Sequence, residues 1–227
     1  LDLFRKTEGK TLKANDDVMA ALDAVASVVE TRSLDLSDMN LAQDGMISLI
    51  TVLPNLDQLQ TLKLSGNTLS VACMRVLAVS LKMMTGLRSL KLSQTGLGRD
   101  GTHLVKILSA CHQLEQLDLS DNQLDEIRVA TVFECLTSMP HLRILTLDGN
   151  SIGAEGIRAL GGALPQCQVL QELNLSAATL RSTDKDRMIL LSAFKYFEDW
   201  KALDLFRKTE GKTLKANDDV MAALDAV

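Results

Sequence analysis

The sequence predicts a curved α/β solenoid, with a short parallel sheet on the concave face and helices on the convex face. Three observations carry that reading: a leucine pattern at near-constant spacing, a helical period between its copies, and an apolar composition almost without aromatics. The pattern is L-x-x-L-x-L-x-x-N-x-L. It appears as Leu59, Leu62, Leu64, Asn67, Leu69 and again as Leu87, Leu90, Leu92, Thr95, Leu97. It returns as Leu114, Leu117, Leu119, Asn122, Leu124 and as Leu142, Leu145, Leu147, Asn150, Ile152. A weaker copy is Leu170, Leu173, Leu175, Ala178, Leu180, and an earlier one is Leu34, Leu36, Met39, Leu41. The second leucines, at 34, 62, 90, 117, 145 and 173, are spaced by 28, 28, 27, 28 and 28 residues, the signature of a repeat architecture.

Each L-x-L reads as a strand whose leucines point inward while the residue between them faces out, by the period of two. The rest of each repeat returns as a helix. Ile157, Leu160 and Leu164 fall on one helix face, with Gly153 and Gly156 in the turn before it. Parallel strands pair about 4.8 Å apart, whereas packed helices need about 8–10 Å. The helix side must splay, and the stack curves. The Asn of the motif sits where the chain turns inward, away from water, and its amide can satisfy backbone groups there. Asn67, Asn122 and Asn150 are therefore framework residues; Thr95 can do part of that work. Met39 and Ala178 cannot, so their repeats should be less regular.

Composition agrees and excludes several function classes. The chain has 42 leucines but one Trp, one Tyr and five Phe among 227 residues, so its core must be many small aliphatic layers. A net charge of −5 and a pI near 5.2 argue against a nucleic-acid partner, since phosphate binding needs a basic surface. No apolar run reaches membrane-spanning length, and the opening Leu-Asp-Leu-Phe-Arg-Lys is not a signal peptide. With no initiator Met at position 1, the true N-terminus is expected to lie upstream. Cys73, Cys111, Cys135 and Cys167 form no CxxC pair and have no His at a metal-ligand spacing. They read as small buried hydrophobes in a reducing compartment, hence a cytoplasmic protein without a disulfide framework or a metal.

These repeats resemble the leucine-rich repeat superfamily, and their long helical form is similar to its ribonuclease-inhibitor-like subclass. The resemblance covers essentially the whole chain, departing at Met39, at Ala178 and between Phe4 and Leu12. It implies a horseshoe that binds proteins on its concave face. Members of the subclass include ribonuclease inhibitor, receptor sensor regions of the immune type and a GTPase activator, so fold alone does not select a function.

Residues 1–25 recur without change at 203–227, an offset of 202 residues. Trp200, Leu203 and Leu205 continue the leucine pattern 30 residues after Leu173, and Leu1 and Leu3 begin it 33 residues before Leu34. The chain thus reads as a single domain over 1–227, about seven repeats plus a partial eighth. Two origins are open: a tandem array of near-identical units, or an engineered duplication.

No P-loop, dinucleotide fingerprint, GxSxG or HExxH motif is present, and neither an enzyme nor a cofactor is expected. His103, His112 and His141 lie in different repeats and read as surface or loop residues. Phe194, Tyr196, Phe197 and Trp200 hold four of the seven aromatics and read as packing between repeats, with Tyr196 alone able to reach a partner. The concave face is the candidate site. Its middle outward row is Asp35, Lys63, Lys91, Asp118, Thr146, Asn174 and Asp204. Flanking rows add Arg32, Arg88, Glu115, Arg143, Asp121, Asp148 and Glu172. Basic character peaks around 63–91 and acidic character dominates beyond 115, a bipolar strip suited to a partner protein of complementary charge. The expected function is a protein-interaction scaffold; the alternatives are a ligand-sensing region of an immune-type receptor and an enzyme regulator or GTPase activator.

The duplication also predicts head-to-tail self-association. Residues 203–227 of one molecule can take the place of the identical residues 1–25 of the next, so the exchange loses almost no local contact energy. Light scattering over a range of concentrations, on the whole chain and on a chain truncated after Ala202, checks this. The expected result is an apparent mass that grows with concentration and falls back on truncation; a monomer unchanged by truncation removes the idea.

Overall fold

The computed structural model describes residues 32–40, 42–99, 101–167, 169–175 and 202–204. The duplicated segments, apart from Leu203 and Asp204, and the aromatic residues 194, 196, 197 and 200 lie outside the described residues, as do Leu41, Ala178 and Leu180. Among the described residues, seven three-residue strands form one parallel sheet in sequence order. They are β1 (Ser33–Asp35), β2 (Thr61–Lys63), β3 (Ser89–Lys91), β4 (Gln116–Asp118), β5 (Ile144–Thr146), β6 (Glu172–Asn174) and β7 (Ala202–Asp204). Five helices alternate with them: α1 (Gln43–Val52), α2 (Val71–Met83), α3 (Gly101–Leu108), α4 (Glu126–Cys135) and α5 (Gly153–Ala163). The fold is a curved α/β repeat solenoid, with the sheet on one face and the helices on the other.

Register follows the leucine frame strictly. Leu34, Leu62, Leu90, Leu117, Leu145, Leu173 and Leu203 are successive partners across the sheet. A slip of one residue would turn every leucine to solvent, so burial of the leucine face holds the register. Leu62, Leu90 and Leu145 are fully buried, in a core that continues through Leu49, Leu77, Leu104 and Leu160 of the helices. Local capping starts two of the helices: the Ser70 hydroxyl accepts from the Cys73 N–H at 3.3 Å, and Asp125 Oδ1 accepts from the Arg128 N–H at 2.9 Å. Proline-containing turns at Leu53–Asn55 and Leu164–Gln166 end α1 and α5.

The turn after each strand is where the framework polar residues gather. Asn122 Nδ2 donates to the carbonyls of Leu92 (2.7 Å), Leu119 (3.0 Å) and Ser120 (3.1 Å), while its Oδ1 accepts from the N–H groups of Thr95 (3.0 Å) and Leu97 (3.2 Å). Asn150 repeats this one layer on, donating to Leu119 and Leu147 and accepting from Asn122 and Leu124. Asn67 donates to Leu36 and Leu64. The Thr95 hydroxyl shares its one proton between its own Leu92 carbonyl at 2.8 Å and Asn122 Oδ1 at 3.0 Å, and the preceding layer is reached by the backbone, the Thr95 carbonyl accepting from Leu69 N–H at 3.0 Å. In the Met39 repeat the pattern is out of step. Asn67 Oδ1 accepts from Asn40 N–H (3.1 Å), one motif position later than the Thr95 N–H bond to Asn122, and Met39 packs partly buried against the core.

A second regularity of the turn escapes the leucine pattern. The residue just before the Asn position is left-handed in five successive repeats: Asp38, Gly66, Gln94, Asp121 and Gly149, with φ of 56, 72, 55, 52 and 67°. The two glycines sit where the preceding repeat's aspartate crowds in. A Cβ on Gly66 would lie 1.8 Å from Asp38 Oδ1, and one on Gly149 would lie 2.0 Å from Asp121 Oδ1. The left-handed backbone favours glycine there, and any side chain at either position would have to displace the neighbouring aspartate carboxylate.

Removing the central amide tests this framework. Asn122→Ala leaves buried backbone groups of two repeats unpaired and should cost about 1–3 kcal/mol. Asn122→Asp keeps the acceptor but loses the donors and should also lower the melting temperature. Thermal denaturation followed by circular dichroism reads both; a wild-type melting temperature for Asn122→Ala would show that the amide is not part of the framework.

Candidate functional site

The outward residues between the framework leucines line up across the sheet. Asp35, Lys63, Lys91, Asp118, Thr146, Asn174 and Asp204 are consecutive register partners. Their order in space is therefore their order in sequence. The first four alternate as acid, base, base, acid, with two ammonium groups on adjacent strands. Like charges side by side on one face destabilise a sheet, and one of the two is relieved by a neighbour. Lys63 Nζ donates to Asp35 Oδ2 at 3.0 Å. Lys91, only partly exposed, makes no ion pair or side-chain hydrogen bond with described residues.

The rows on either side divide by sign. At the N-terminal ends of the strands stand Arg32, Arg88, Glu115 and Arg143; Arg88 Nε lies 3.9 Å from Glu115 Oε1, which offsets that pair and leaves Arg32 and Arg143 exposed. Beyond the C-terminal ends stand Asp38, Asp121 and Asp148. Charge is thus split across the strands as well as along the solenoid, a second axis that the linear order of charges hides. Not every candidate is available to a partner. Asp121 accepts weakly from Gln94 at 3.4 Å and holds a left-handed turn. Asp118 Oδ1 accepts from the N–H and hydroxyl of Ser120. Asp148 and Asn174 each already have a protein partner. Glu172 is exposed, and Asp204 is placed only as a strand residue of β7.

The Asp35 carboxyl feels two opposing effects. Partial burial pushes its carboxyl up, but the Lys63 ammonium and the Ser37 hydroxyl and N–H outweigh that and hold it below the usual carboxylate range. Burial pushes the Cys111 thiol up to about 12 and the Cys167 thiol up to about 11, and burial with Glu134 nearby raises Cys135. These thiols stay protonated at neutral pH and are poor nucleophiles. All four cysteines are unpaired with one another. His112 and His141 are exposed, and His103 is half-buried with a partner. No group of His, Cys, Asp and Glu able to hold a metal, and no helix long and apolar enough to cross a membrane, occurs among the described residues. A cavity of about 230 Å³ between Leu136, Met139, Leu142, Cys167 and Leu170 lies where helices lead back to strands, away from the outward sheet residues.

Two family models match the repeats in the middle of the chain, one described as Leucine Rich Repeat over residues 113–135 and one as Leucine Rich repeat over residues 138–161. Both matches coincide with layers joined by the Asn122 and Asn150 amides. The chain is a leucine-rich repeat protein. Its 27- or 28-residue repeats, each closing with a helix, are of the ribonuclease-inhibitor-like kind. It is 36% identical to human Protein NLRC5 over 66% of this chain and 9% of that protein. It is 25% identical to the RAN GTPase-activating protein 2 of Arabidopsis thaliana over 55% of this chain and 23% of that protein. The matched region is thus a small part of each relative's length. Among solved structures, the tropomodulin C-terminal domain of Caenorhabditis elegans is similar at a TM-score of 0.46 and 13% identity, covering 79% of this chain and 92% of that one. Leucine-rich repeat solenoids offer an extended concave surface for protein–protein interaction, and in this leucine-rich repeat protein that surface carries the charge rows described above.

The Asp35–Lys63 pair can be read directly. Replacing Lys63 by Gln should move the Asp35 carboxyl titration up toward its ordinary range, followed by the carboxyl carbon in NMR. A carboxyl held low in the folded state contributes stability above its unfolded value that is lost as pH falls through its folded value; the variant should therefore lose less stability on acidification. An unmoved Asp35 titration would mean that the ion pair does not form in solution.

Proposed function

We propose that this chain is a protein-interaction scaffold that holds a partner protein on its concave face. The carrying observation is the in-register row Asp35–Lys63–Lys91–Asp118, in which Lys63 is paired with Asp35 and Lys91 makes no ion pair with described residues. Arg32, Arg88, Glu115, Arg143, Asp148, Glu172 and Asn174 frame it, with Asp121 on the rim. The arrangement suits a partner that brings a carboxylate to Lys91 and meets opposite signs at the two ends of the strands. Charge arranged in this way selects a partner and its orientation and speeds encounter. The identity of 1–25 with 203–227, and the pairing of β7 beside β6, support a finer reading: one continuous domain over 1–227, cytoplasmic, able to continue head to tail as part of a tandem structural array.

A second reading is regulation of a GTPase. The similarity to the RAN GTPase-activating protein 2 favours it; acceleration of GTP hydrolysis by a RAN-type GTPase on addition of this chain is its direct test.

For the scaffold reading, Lys91→Glu is the clean substitution. Lys63→Glu would also set two carboxylates side by side against Asp35. With a photo-crosslinker at Ser93 to trap the partner from lysate, the partner's association should slow several-fold in Lys91→Glu and lose much of its salt dependence. Arg158→Glu on the convex face, where Arg158 pairs with Glu155 of the same helix, should leave binding unchanged. Equal losses from the two variants would remove the concave face as the binding site.

A further inference from the structure

The convex face has its own asymmetry, located on two adjacent helices. Neither α2 nor α3 contains a single Asp or Glu, although the chain as a whole is net negative by 5. Their exposed cations are Arg75, Lys82 and Lys106. None makes an ion pair with described residues. On α4 and α5 the arrangement differs: Arg128 is paired with Asp125, and Arg158 with Glu155 at 2.5 Å, each three residues earlier in the chain. The cations of the later helices are thus paired close by in sequence, whereas Arg75, Lys82 and Lys106 make no ion pair with described residues.

The same two helices carry exposed apolar side chains beside those cations. Val79 and Met83 on α2 are 59% and 65% exposed, one turn apart on one face. Counted back from the next framework leucine, Val79 (before Leu87) and Lys106 (before Leu114) occupy the same repeat position on adjacent helices. Val105, next to Lys106, is 44% exposed, although its counterparts Ile50, Ala78 and Phe133 are buried. That exception falls in the repeat that is one residue short, between Leu90 and Leu117.

We infer that this patch docks an amphipathic helix of a partner protein whose apolar face is bordered by carboxylates. Val79, Met83 and Val105 supply the apolar strip, and Arg75, Lys82 and Lys106 supply the complementary charge. An anionic membrane is the weaker fit: the cations are three, and a chain of net charge −5 is repelled by an anionic bilayer as a whole. A helix laid along neighbouring helices meets ridges and grooves of its own spacing.

The probes are two synthetic peptides of about five helical turns, one of Leu, Ala and Glu with its leucines along one face, the other with Lys for Glu. Vesicles of phosphatidylserine are the third probe. Fluorescence anisotropy with the whole chain should show saturable binding of the Glu peptide, weakened by salt. That binding should fall about tenfold or more, roughly the equivalent of one lost contact of ordinary strength, in Val79→Glu/Met83→Glu and in Lys82→Glu/Lys106→Glu. All four positions are exposed, and circular dichroism melting should be unchanged. Lys91→Glu on the concave face should not alter binding of this peptide, which separates this surface from the concave site. No binding of the Glu peptide, equal binding of the Lys peptide, insensitivity to the double variants, or binding to vesicles alone would each overturn the inference.

Discussion

The structure depends on a side-chain amide standing in for backbone partners in a buried turn. A three-residue strand ends almost as soon as it begins, and the chain must then dive beneath the sheet. In doing so it carries N–H and C=O groups out of water before a helix can take them up. Unpaired, each would cost as much as a lost buried hydrogen bond. Asn122 resolves this with donors to two repeats and an acceptor to the earlier one. Because its partners lie in both layers, the amide fixes the separation and register of neighbouring repeats as well as the turn itself. Once register is set, the outward rows follow, and a one-dimensional order of charges becomes a two-dimensional surface.

Most of the fold was legible because the repeat imposes one solution many times. Leu62, Leu90 and Leu117 mark strands by spacing alone, and the inward face cannot be misassigned without exposing the whole core. The left-handed residues were not legible. At that position the chain has Asp38, Gly66, Gln94, Asp121 and Gly149, a set too varied to form a motif. Only the conformation unites them, and the local reason for glycine at 66 and 149 is the aspartate of the preceding repeat, visible only across the sheet.

The candidate site was legible in membership but not in availability. That Lys63 and Lys91 face outward follows from alternation. That Lys63 is held by Asp35 while Lys91 is not depends on side-chain reach and competition, which no linear pattern encodes. Likewise Arg88 and Glu115 occur in order along the sequence as a change of sign, yet in space they are neighbours that partly offset one another. The net effect is to narrow a strip of a dozen charges to a few that remain unpaired.

The repeat from Leu87 to Gln113 departs most from the common frame, and the departures cluster. It replaces Asn by Thr95, so its turn meets the layer before it through the backbone, as in the Leu69 N–H bond to the Thr95 carbonyl, without a side-chain amide donor. Its spacing to the next repeat is one residue short, its helix α3 has eight residues against ten to thirteen elsewhere, and Val105 turns outward. The same repeat presents Lys91 on the concave side and Lys106 on the convex side. A solenoid tolerates such a layer because stability is a sum over neighbouring interfaces: the regular layers of Asn122 and Asn150 hold it on one side and that of Asn67 on the other. Repetition supplies stability in the flanks, and that surplus lets one repeat relax the frame and carry unpaired charge on both of its faces.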